Sequence, residues 1–185
     1  MSMAMNQEIR DYISSTSLKD NVKAIYSLGR ARPLYGANSV MLRTLGDRFQ
    51  GANSYQRSYF DEFKGKEVMT EFAEFCESLR DYDNSRTKDN LIEIILEAGD
   101  LLFQSIVLDS RHKENRHYSA ARNEMDKALL YVEDELIRRG LSMQTVKNIA
   151  KVKYGVRSWM VLKGLPSKNK DLEKQFCLEE LSNLQ

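Results

Sequence analysis

The sequence is short of the residues that interrupt helices or cross-link chains. Two prolines in 185 residues, with few alternating β-branched runs, argue against a sheet protein and for helices. Cys76 and Cys177 stand far apart, so no disulfide framework is built; they read as apolar fillers of a reduced, cytoplasmic chain. Two histidines and two scattered cysteines give no zinc-site spacing. Neither a GxxxxGK[ST] loop nor a GxGxxG fingerprint occurs, which removes the common phosphate cradles. The first ten residues lack the apolar run of a signal peptide. The best apolar stretch, 91–108, is interrupted by Glu93, Glu97 and Asp100, so no membrane partner is expected. A net charge of +1, with acids and bases interspersed, predicts no nucleic-acid partner either.

What is present is an ordinary globular balance, 42% hydrophobic and 30% charged, enough for one cored domain with a small appendage. Start and stop signals divide it into helices. Ser17 with Asp20 opens a helix that runs to about residue 28. Residues 30–53, with Pro33, Gly36, Gly46 and Gly51, read as loops around a short apolar helix at 40–49. Ser54 caps a helix over 55–80, whose Phe60, Phe63, Phe72, Phe75, Cys76 and Leu79 recur at helical spacing. Thr87 caps the next, to about 112. Ser119 opens a third, which stops at Arg138-Arg139-Gly140, cations followed by glycine. Ser142 caps a fourth, ending near 153 ahead of a loop at Gly155, Gly164 and Pro166, and 168–183 forms an amphipathic tail helix. The expected fold is therefore an all-α helical bundle. It divides into an N-terminal helical extension (1–53), a core (54–165) and the tail (166–185).

One pattern carries chemistry. The helix from Thr87 onward is apolar around most of its circumference, which marks it as buried. Yet Glu93, Glu97, Asp100 and Gln104 follow at steps of 4, 3 and 4 and form one narrow stripe. The preceding helix repeats the spacing with Glu67, Glu71, Glu74 and Ser78. The 26-residue offset between Glu67 and Glu93 lets the two helices fold back as an antiparallel pair with facing stripes. Like charges one turn apart repel, and desolvated carboxylates need a counter-charge. A hard divalent ion with oxygen ligands, Mg²⁺ above all, supplies it; lysine or arginine partners are the alternative. Glu67 and Glu77 fit a solvated face.

Glu71-Phe72-Ala73-Glu74 followed, after 22 residues, by Glu97-Ala98-Gly99-Asp100 resembles the ExxE…ExxD signature of the all-α nucleoside triphosphate pyrophosphohydrolases, the MazG-like superfamily. A later segment with Lys147, Asn148 and Lys151 is similar to that superfamily's Asn/Lys-bearing helix. The likeness spans roughly 55–165. The chain departs from it in three ways: the proline- and tryptophan-containing motif ahead of the first metal helix is missing, an extra charged helix at 119–139 intervenes, and Phe72 replaces an acid. The resemblance implies Mg²⁺, with Mn²⁺ as a substitute, held by Glu71, Glu74, Glu97 and Asp100. It implies cleavage of the α–β phosphoanhydride of a nucleoside triphosphate to monophosphate and pyrophosphate. Glu74 is the expected general base. Asn148 and Lys151 would contact phosphate or sugar, with Arg157 as a weaker phosphate contact. Tyr55, Tyr59 and Phe63 are candidates to stack on a base, though such spacing fits a core as well. The resemblance further implies a homodimer or homotetramer, with which the tail's Leu172, Phe176, Leu178, Leu181 and Leu184 agree. Two other readings remain open at this point. One is a related phosphoanhydride hydrolase such as phosphoribosyl-ATP pyrophosphohydrolase. The other is a non-catalytic helical module whose acidic stripes meet a partner's basic helices.

Overall fold

The computed structural model describes residues 3–27, 65–111, 113–114, 118–166 and 169–184. Among them the regular structure is entirely helical, as expected: α1 (Met3–Ser15), α2 (Leu18–Ser27), α3 (Gly65–Asn84), α4 (Lys88–Arg111), α5 (Tyr118–Ile137), α6 (Met143–Leu162) and α7 (Lys170–Leu184). No helix among the described residues is long and apolar enough to cross a membrane. The helix expected at 40–49, and Tyr55, Tyr59 and Phe63, lie outside the described residues.

The chain forms two compact units. One comprises residues Pro33–Met143, the other Met1–Arg32 together with Gln144–Gln185. This division differs from cuts at 53/54 and 165/166. It places the N-terminal helices with the tail, and it assigns α6 to a different unit from the acidic helices.

In the first of these units α4 is central and packs against both α3 and α5. Its burial follows from composition: Ile92, Ile94, Ile95, Ala98, Leu101 and Leu108 have no exposed surface, and no residue from Asn90 to Leu108 is classed as exposed. Phe72 of α3 reaches α5, its ring 5.7 Å from that of Tyr131, and is a core residue. The Thr87 cap forms, Asn90 N donating to Thr87 Oγ1 at 3.1 Å. Asn90 Nδ2 in turn donates to the carbonyl of Ser85 at 2.8 Å, which fixes the short connector between α3 and α4. Arg139, in the turn after α5, clamps the last turn of α3, donating to Asp83 from Nη2 at 2.6 Å and from Nε at 3.0 Å, and to Glu135 at 2.9 Å. That bond from Arg139 holds the Asp83 carboxyl below its ordinary value. At the other end of α4, Arg122 donates to Asp109 at 3.1 Å and to Asp126 at 2.9 Å. The Tyr118 hydroxyl donates to Asp109, which raises the Tyr118 pKa.

Helix α5 stops where the cations and glycine predicted. Gly140 takes φ +75°, Leu141 N donates to Leu136 O at 2.9 Å, and Gly140 N to Ile137 O at 3.0 Å. This double bond pattern requires the left-handed conformation that glycine adopts without strain. The same pattern ends α6 at Gly164.

In the other unit α6 is the core helix, with eleven buried residues from Val146 to Val161. Two expectations are corrected here. Helix α6 does not end near Lys153; it runs through Gly155 to Leu162. Gly155 serves a close approach instead of a stop: a Cβ there would stand 2.8 Å from Ile13 Cγ1 and 3.5 Å from Asn21 Nδ2. The tail is not a free amphipathic face. Leu172, Phe176, Cys177 and Leu181 of α7 are buried, and Arg10 of α1 binds Glu179 at 3.1 Å while lying 5.6 Å over the Phe176 ring. Helix α1, which no sequence signal announced, is also held by Tyr12 to Ser158, hydroxyl to hydroxyl at 2.6 Å, and by Glu8 to Lys163 at 2.8 Å.

Candidate functional site

The acidic residues sit as the amphipathic geometry of α3 and α4 dictates. On α4, Glu93, Glu97 and Asp100 are half-buried at the edge of the apolar face, and Gln104, next in the stripe, is 2% exposed. On α3, Glu71 is half-buried and Ser78 buried, whereas Glu74 and Glu77 are exposed. Ser78 Oγ donates to the Phe75 carbonyl at 2.6 Å, which satisfies the one neutral member of that stripe locally. The side chain of Glu67 lies outside the described residues. One carboxylate oxygen on each helix, Oε2 of Glu71 and Oε2 of Glu97, is shut off from solvent. Glu71, Glu93, Glu97 and Asp100 each have further interactions within the chain, so their charges are not isolated.

These oxygens have the chemistry of hard-cation ligands. The arrangement is looser than a closed metal site, however. Among the described residues no group of three or more His, Cys, Asp or Glu side chains is placed to hold a metal ion. Glu71, Glu97 and Asp100 are on helices that pack together, while Glu74 points to the exposed side of α3.

The basic candidates belong to the other unit. Helix α6 carries Lys147, Lys151, Lys153 and Arg157 and no acid. Asn148 is half-buried and accepts a hydrogen bond from Gln144 Nε2 at 3.1 Å. Lys151 is half-buried and Lys147 exposed, and neither forms an ion pair among the described residues. Arg157 is different. Its Nη2 donates to Glu173 Oε1 at 2.8 Å and its Nε to Oε2 at 3.4 Å, and its guanidinium lies 5.1 Å over the Tyr154 ring. The Glu173 side chain is 4% exposed. Arg157 thus joins α6 to α7 through a buried carboxylate. Sequence reasoning missed that partnership because the residues are 16 apart on separate helices and share no local spacing.

Sequence reasoning also missed Asn21 of α2, a fully buried amide on the buried side of a ten-residue helix. A polar residue between apolar Leu18, Val22 and Ile25 was the available signal. No protein family, no curated protein and no solved structure matches this chain.

Proposed function

We propose that the protein is a Mg²⁺-dependent nucleoside triphosphate pyrophosphohydrolase whose acidic center lies between α3 and α4. The observation that carries the reading is the pair of shielded carboxylate oxygens, Glu71 Oε2 and Glu97 Oε2, one from each of two packed helices. Desolvated carboxylates on neighboring helices call for compensating charge or hydrogen-bond donors, and a divalent cation is one such compensation. Register supports it. Counted from Arg86 in the connector of a back-folded pair, Glu74 lies 12 residues before and Glu97 11 after; Glu71 lies 15 before and Asp100 14 after. At ~1.5 Å rise per residue this puts Glu74 level with Glu97 and Glu71 level with Asp100.

Glu71, Glu74, Glu97 and Asp100 would hold the ion, which when bound supplies neutralization of phosphate charge and activation of water. The chain's own residues divide the remaining work. Glu74, on the exposed edge, accepts the proton of the attacking water. Lys151 and Asn148, one turn apart on α6, carry the ammonium and amide that phosphate or sugar binding would use. Arg157, committed to Glu173, anchors α7 and is outside the proposed contact set. The protein acts as a homodimer or homotetramer in this reading, with Mn²⁺ able to replace Mg²⁺.

The test is pyrophosphate release from a panel of ribo- and deoxynucleoside triphosphates, with Mg²⁺, Mn²⁺ or EDTA, for wild type and Asp100→Ala. Metal-dependent release of pyrophosphate and monophosphate, lost in the folded variant, supports the proposal. Release only from phosphoribosyl-ATP moves the substrate and keeps the reaction class. No release from any substrate by the folded protein removes the enzymatic reading and favors a helical interaction module.

A further inference from the structure

Asn21 has no exposed surface, and neither its Nδ2 nor its Oδ1 makes a hydrogen bond among the described residues. It faces the backbone of Gly155, where a Cβ would come within 3.5 Å of Nδ2. Its helix, α2, has ten residues, too few to be stable in isolation; docking must hold it. Among the described residues the side chains that α2 buries are Asn21, Val22 and Ile25, so an unsatisfied amide stands beside two apolar groups. By contrast α6, beneath it, buries eleven residues. Each unsatisfied buried polar group biases an equilibrium toward the hydrated state by roughly tenfold or more. The amide has two such groups, and both gain water when α2 lifts.

We propose that α2 is a strap poised to open: it detaches from α6 as a unit while the rest of its compact unit stays folded, and Asn21 sets how readily it does so. Its N-terminal end is the hinge, since Ser17 caps it, Asp20 N donating to Ser17 Oγ at 3.1 Å and Asn21 N to Ser17 O at 3.0 Å. Opening frees the Asn21 side of Gly155, whose other side stays against Ile13 of α1. The device stands on the burial of Asn21 and does not depend on the pyrophosphohydrolase reading.

Hydrogen exchange on the full-length protein tests it, comparing amides of Val22 to Ser27 in α2 with those of Val152 to Trp159 in α6. In wild type the α2 amides should exchange about 100-fold faster or more than those of α6. Asn21→Leu should slow α2 exchange by about tenfold or more, with α6 unchanged. Should leucine overfill the site, Asn21→Ala removes the amide without adding volume and should leave α2 exchange no faster than wild type. Wild-type α2 amides as protected as those of α6, or faster α2 exchange in both variants, overturn the proposal.

Discussion

The buried pair of Arg157 and Glu173 gives the sharpest test of how one of the two units holds together. Glu173 has 4% of its side chain exposed and Arg157 17%, so water cannot replace either partner for the other. Arg157→Met keeps much of the aliphatic packing against Tyr154 but leaves a carboxylate stranded inside. Breaking a pair at this depth costs about 3–5 kcal/mol. Replacing both, Arg157→Met with Glu173→Met, removes the stranded charge along with the attraction, and such exchanges come out near neutral or stabilizing. The cycle should therefore show a coupling of about 3 kcal/mol or more. Urea unfolding followed by Trp159 fluorescence is well suited. It is the only tryptophan in the chain, it is 4% exposed, and it shares α6 with Arg157. The reasoning fails if Arg157→Met costs under ~1 kcal/mol, the range of a solvated pair. In that event Arg157 is free to meet phosphate, and its role returns to the substrate.

Three further outcomes follow from the geometry. Gly155→Ala places a methyl 2.8 Å from Ile13 Cγ1 and should destabilize by about 1–3 kcal/mol; adding Ile13→Ala, which removes the obstructing atom, should recover part of the loss in the same unfolding assay. Thr87→Ala removes the acceptor for Asn90 N and should cost about 1 kcal/mol, read as a lower urea midpoint. Asp83 sits below its ordinary value of 3.8 because of Arg139. Its contribution is then complete above pH ~4 and is lost as pH falls through the lowered folded value. Stability curves of wild type and Arg139→Gln should converge on acidification. The part that disappears should be under ~1 kcal/mol, since Asp83 is 47% exposed; curves that diverge on acidification would contradict the assignment.

The helices with local punctuation were legible in the sequence. Thr87, Ser17 and Gly140 do what short-range chemistry requires of a cap or a stop, and the near-uniform burial of α4 follows from its unbroken apolar circumference. What escaped was set by distant partners. Helix α1 has no cap signal and a largely polar sequence; its place is fixed by Tyr12 on Ser158 and Arg10 on Glu179. Gly155 carries the same signature as a stop, and only the proximity of Ile13 distinguishes a packing glycine from a terminating one. The half-burial of Glu97 and Asp100 could be read from their helix, and that reading stands. Whether four carboxylates converge depends on side-chain rotamers and on the spacing of two helices, and no residue pattern encodes either.

The partnership of α1 and α2 with α6 and α7 has a consequence for biogenesis. Arg10 and Glu179 are separated by 169 positions, and the intervening unit lies within that interval. At ribosomal speeds of ~5–20 residues per second, the first two helices wait roughly ten to thirty seconds for the strands of polypeptide that complete them. Ile9, Val22 and Ile25 are unshielded throughout that interval, while α3, α4 and α5 already have all their mutual contacts available. The acidic helices can thus mature on the ribosome, and the unit containing α6 closes last. A pause or truncation before α6 and α7 emerge would leave nascent chains with the acidic-helix unit finished and α1 and α2 unpartnered, the kind of intermediate that chaperones bind.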